Sequence, residues 1–120
     1  MNMKSIIDQV ISERTAELIS HEDYTYPVEY YWVKGQLVAE ELFESIPLDA
    51  LKAPSLEMLK KFLREKRGIV ITPLPITKTK WMAEVMITEE SKVIVTGEIV
   101  YGNSYEEALE KQIMNLYEQN

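Results

Sequence analysis

The chain contains no cysteine and only one histidine, His21. Without thiols there can be no disulfide, no thiolate metal site and no cysteine nucleophile, which fits a reducing compartment. A single histidine leaves little scope for a Ser-His-Asp arrangement, and the scattered serines lie in no strand–turn–helix nucleophile elbow. The four glycines form no phosphate-binding loop. No apolar run approaches the length needed to span a bilayer. The first twenty residues lack the continuous apolar core of a signal peptide, because Asp8, Glu13 and Arg14 interrupt it. The expectation is a soluble cytoplasmic protein with no membrane attachment, cofactor or metal.

What is present is an ordinary globular composition, 46% hydrophobic and 28% charged over 120 residues, which suits a single domain. The net charge of −7 is unevenly spread. Residues 1–53 hold ten Asp/Glu against Lys4, Arg14, Lys34 and Lys52, whereas residues 54–120 hold ten Glu against nine Lys/Arg. An acidic surface repels phosphates at long range, but the excess lies outside the C-terminal half.

Hydrophobic periodicity and punctuation predict an α+β fold. A helix is expected over 6–19, with Ser5 as N-cap and Asp8 three residues on. A strand rich in aromatic residues follows over 27–33, and Gly35 breaks it. Val38, Leu42 and Ile46 suggest a short helix over 37–45 that Pro47 terminates. Pro54 and Ser55 open a second long helix, 56–67, with Gly68 as its stop. Three strands come next, over 69–76, 81–88 and 92–101, with an antiparallel hairpin around residues 89–91. Pro73 and Pro75 place the first of these at an unpaired sheet edge, so strand 27–33, if it joins this sheet, should add beside the third strand. Ser104 with Glu107 is a capping box that starts the last helix, whose apolar stripe is Tyr105, Leu109, Ile113 and Leu116. The expected architecture is an antiparallel sheet of three or four strands: a helix–three-strand–helix module over 54–120, preceded by a helix–strand–helix segment over 1–53.

Alternation assigns Trp81, Ala83, Val85 and Ile87 to the core face, matched by Val93, Val95, Ile99 and Tyr101. The other face mixes Met82, Met86, Ile94 and Val100 with Glu84, Thr96 and Glu98. It is apolar enough to call for cover by the N-terminal segment or by another subunit.

In element order and length, residues 54–120 resemble the double-stranded RNA-binding domain. That resemblance implies RNA contacts through Lys60, Lys61 and Arg64 on the first helix and Lys78 and Lys80 in the first inter-strand loop. The family's lysine-rich start of the last helix is replaced here by Ser104-Tyr105-Glu106-Glu107-Ala108-Leu109, and carboxylates there would repel phosphates. The patterns LREKRGIVI and SYEEALEKQI also resemble short proteins of Bacteroidetes bacteria, their phages and mobile elements, which have no assigned activity. Phe62 stands where those carry a tryptophan, and Arg67-Gly68 where they carry His-Asn.

His21-Glu22-Asp23 lacks a second histidine to complete a metal site, and Glu40, Glu41 and Glu44 read as a solvated face. Tyr24, Tyr26, Tyr30, Tyr31 and Trp32 form the densest aromatic cluster. Aromatic residues concentrate at the centres of protein interfaces, and methionines make such surfaces adaptable. Tyr30, Tyr31, Trp32, Met82 and Met86 are therefore the candidate interface residues. The functional expectation is a non-enzymatic interaction or accessory module that pairs with itself, as a homodimer, or with another protein. The alternative is a nucleic-acid contact through Lys60, Lys61, Arg64, Lys78 and Lys80.

Overall fold

The computed structural model describes residues 9–19, 23–89, 92–95 and 97–118. The chain is α+β and divides into two compact units, Met1–Met58 and Leu59–Asn120. Among the described residues no helix is long and apolar enough to cross a membrane.

In the first unit the expected helix over 6–19 is not continuous. Val10 forms an antiparallel bridge with Ser55, and the Ile11 amide donates to the Pro54 carbonyl at 3.0 Å. Ser12 is extended, and its hydroxyl accepts from the Thr15 amide at 3.2 Å, capping a shorter helix, α1 (Glu13–Leu18). The adjacent β-branched pair Val10-Ile11 favours extended backbone, and serine prefers a cap to a helix interior. The expected cap at Ser5 lies outside the described residues.

β1 (Tyr30–Val33) and β2 (Gln36–Ala39) form a hairpin in which Val33 pairs with Gln36. Lys34 and Gly35 between them have φ of 48° and 81°, the two positive values of a type I′ turn, whose twist matches that of the strands. The short β3 (Leu51–Lys52) pairs with the other side of β1, giving the order β2-β1-β3. The helix expected over 37–45 is thus replaced by β2 and a single 3-10 turn, Glu40–Leu42. Its supposed apolar stripe buries little: Leu42 is 73% exposed and Ile46 40%. Strand 27–33 likewise begins only at Tyr30 and belongs to this separate sheet. Val10, Leu37 and Ala53 form a small core against which Tyr30 and Trp32 pack.

α2 (Leu56–Arg67) starts on Ser55, whose hydroxyl accepts from the Met58 amide at 3.0 Å. The division between units falls in its first turn. The second unit then runs β4 (Ile69–Thr77), β5 (Lys80–Glu89), β6 (Lys92–Val95), β7 (Val100–Gly102) and α3 (Tyr105–Glu118). Among the described residues β4 pairs only with β5 and is an edge, as the two prolines require. β6 and β7 pair with successive stretches of β5, so the expected third strand is divided around residues 97–99. α3 packs on β4, β5 and β7. The unit's core comprises Leu59, Phe62, Leu63, Ile71, Ala83, Val85, Ala108, Leu109 and Ile113, all buried.

The register of the third strand on β5, fixed from the pairing of Glu89 with Lys92 onward, changes its faces. Val100 lies opposite Ala83 and Tyr101 opposite Met82, so Val100 shares the core face and Tyr101 the other. Ile94 is registered with Ile87 and Val95 with Met86, again the reverse of the expected assignment. Tyr101 and Ile99, expected inside, are 49% and 46% exposed. Gly97, at φ 93°, lies between the two paired stretches, and even positions pair with odd positions of β5 on both sides of it.

Candidate functional site

The aromatic cluster of the first unit is largely spent on folding. Tyr31 is buried, its ring edge-to-face with Phe43 at 6.1 Å. Burial and, secondarily, the Glu40 carboxylate hold its phenol above the usual tyrosine range. The Trp32 indole nitrogen donates to the Ile11 carbonyl at 2.8 Å, which satisfies its one polar atom inside the fold. Tyr30 packs on the small core and also lines two neighbouring depressions. The larger, about 690 Å³, is edged by Glu29, Glu40 and Glu41 with Val28 and Ala39. Among the described residues no group of three His, Asp or Glu side chains could hold a metal ion. The carboxylates form a solvated acidic rim. Leu42, Ile46 and Leu48 are exposed nearby in sequence, but they lie on a 3-10 turn and loop, where isolated exposed apolar residues are commonplace.

In the second unit the basic candidates do not make one free cationic surface. The Lys60 ammonium donates to the Tyr105 hydroxyl at 3.2 Å and lies 5.7 Å from that ring's centre. Tyr105 in turn stands edge-to-face with Trp81 at 5.5 Å. Lys80 lies over the Tyr101 ring at 5.0 Å. Lys61 and Arg64 are exposed on α2, and Lys78 in the β4–β5 turn. At the start of α3, the Ser104 hydroxyl accepts from the Glu107 amide at 3.1 Å, the expected cap. Bonds from Lys111 and then from the Asn103 backbone hold the Glu107 carboxyl below the ordinary glutamate range. Because that pKa is lowered, its small contribution to stability is present at neutral pH and is lost as the pH falls through the folded-state value. The helix start stays negative where an RNA-binding surface needs cations.

The feature that sequence reasoning half anticipated is the outer face of this sheet. Pairing register places Leu74, Met82 and Tyr101 in one cross-strand row, on β4, β5 and β7. Directly opposite, through the sheet, Ala83 and Val85 are fully buried under α3. Met82 and Met86 lie on the same face of β5, four residues apart, both half-buried, with Lys80 and Glu84 on alternate positions between and beside them. Along this row Tyr101 is exposed, while Leu74 and Met82 are partly buried. Alternation does not reveal Tyr101, because it fixes no register between strands, and the pairing of Glu89 with Lys92 sets odd positions of the third strand against even positions of β5.

Gln112 was also missed. It is fully buried on α3, and its amide donates to the carbonyls of Ala83 at 2.8 Å and Glu98 at 2.7 Å. These bonds tie the 97–99 break to β5, and so position β7 and Tyr101. Its place in the helix between Leu109 and Ile113 was the available signal. No protein-family model matches the chain, and no curated protein or solved structure matches it either.

Proposed function

We propose that the chain is a non-enzymatic protein-interaction module whose contact surface is the outer face of the second unit's sheet. The observation that supports this most is the row Leu74–Met82–Tyr101, with Tyr101 49% exposed at its end. Tyrosine and methionine supply large, adaptable contact area, and Lys80 and Glu84 provide a polar margin. A photo-crosslinking benzoylphenylalanine at position 101, in cells producing the chain, is expected to give discrete covalent protein adducts. The same probe at Lys61, exposed on α2, is expected to give none. Absence of adducts at 101, or equal adducts at both positions, would end this reading.

The competing reading is duplex-RNA contact through Lys60, Lys61, Arg64, Lys78 and Lys80. Two of these five cations are engaged with tyrosine rings, and Glu106 and Glu107 occupy the place of a further cationic contact. The expected outcome of a gel-shift titration with duplex RNA at low salt is no retarded band. A shift that weakens with salt and with reversal of Lys60, Lys61, Lys78 and Lys80 would favour RNA instead.

A further inference from the structure

We propose that the occupant of this face is a second copy of the chain, stacked about a two-fold axis that lies between the sheets, crosses β5 at right angles and passes over Met82. The proposal rests on the reading of the face as an interaction surface and names its partner.

Alternate residues of β5 put Lys80, Met82 and Glu84 on this face, with the Cα atoms of Lys80 and Glu84 each about 7 Å from that of Met82 along the strand. The contact of Lys80 with the Tyr101 ring holds its ammonium on the same side. Rotation about the proposed axis reverses the strand direction and leaves lateral position unchanged. Lys80 of each copy then stands opposite Glu84 of the other, while Met82 meets Met82, Tyr101 meets Tyr101 and Leu74 meets Leu74. One patch thereby supplies both sides of the contact, as a closed two-fold interface requires. Rotation about an axis parallel to β5 would instead set Lys80 on Lys80 and Glu84 on Glu84, an arrangement that like-charge repulsion disfavours. Charge order along a single strand therefore selects one of the two face-to-face pairings. Three strands at a spacing of about 4.8 Å make a small footprint compared with the roughly 800 Å² per partner of stable complexes, so dissociation on the order of 10–100 μM is expected.

Sedimentation equilibrium on the full chain up to about 1 mM tests this directly. The wild type should dimerise. Lys80→Glu alone and Glu84→Lys alone should each weaken dimerisation by about tenfold or more, because each creates two like-charge contacts. An equimolar mixture of the two variants should associate to within about threefold of the wild type, because the mixed pair restores opposite charges at both contacts. Both positions are at the surface of the sheet, and circular dichroism of each variant shows whether the fold is retained. A wild type that stays monomeric, or a mixture that associates no better than either variant alone, overturns the proposal. A monomeric wild type that still gives adducts with a different protein at position 101 leaves the interaction surface standing and removes only the second copy. A monomer with no adducts removes both.

Discussion

Replacement of Gln112 by leucine is expected to destabilise the second unit by roughly 1–3 kcal/mol, although leucine is the more apolar residue and the site is fully buried. The amide nitrogen supplies hydrogen bonds to the Ala83 and Glu98 carbonyls, at 2.8 and 2.7 Å, and its oxygen accepts from Asn115 at 3.3 Å. Leucine retains most of the volume but none of these, and a buried carbonyl deprived of its donor costs about 1–3 kcal/mol. Transfer of the leucine side chain from water offsets part of that loss, about 1.5–3 kcal/mol at most, which keeps the net effect below the sum of the two bonds. Thermal unfolding should show the midpoint falling by roughly 5–15 °C. Hydrogen exchange should rise first at residues 98–102, which Gln112 ties to β5. An unchanged midpoint would mean that the two carbonyls find other partners and that Gln112 does not hold the strand break.

Gly102→Ala is expected to cost a comparable amount through a different mechanism. A Cβ at this position would stand 2.6 Å from the Ala108 amide nitrogen and 3.0 Å from its Cα and from the Glu107 carbonyl carbon. These are backbone atoms of the first turns of α3, so no side chain can rotate out of the way. The helix must move off β7, at a cost of about 1–3 kcal/mol, toward the upper end for a clash with backbone. Chemical denaturation should show a lower midpoint with an unchanged slope. Because Gly102 pairs with Trp81, beside the row that ends on Tyr101, the variant should also weaken any association through the sheet face. A stable variant with native association would show that α3 yields at this point without strain.

Parts of this fold were legible because local chemistry and global packing agree. Ser104 and Glu107 mark the start of α3, and the bond between them is present. Pro73 and Pro75 announced an edge strand, and β4 is one. Misreadings arose where two periodicities fitted the same residues. Val38, Leu42 and Ile46 are spaced like a helix face, but Lys34-Gly35 between two short apolar runs is a hairpin turn, and the backbone followed the turn. In the third strand of the C-terminal half, alternation alone matches odd positions to odd positions of β5, whereas the pairing of Glu89 with Lys92 sets odd against even along both β6 and β7. That register moved Tyr101 from the expected core to the outer face and completed the candidate surface. Of the sequence-derived interface residues, Met82 and Met86 lie on that surface, while Tyr31 and Trp32 are committed to the interior contacts of the first unit. Burial of an aromatic strand depends on which partners its sheet finds, and local sequence does not contain that information.

The two prolines on β4 carry a consequence for assembly. An open sheet edge invites another chain to extend it, and repeated extension is the route to fibres. β5 occupies one side of β4, and on the other side Pro73 and Pro75 present no amide hydrogen to an incoming strand. Extension past β4 is therefore blocked at these two positions, whereas the face-to-face stacking proposed above makes no use of that edge.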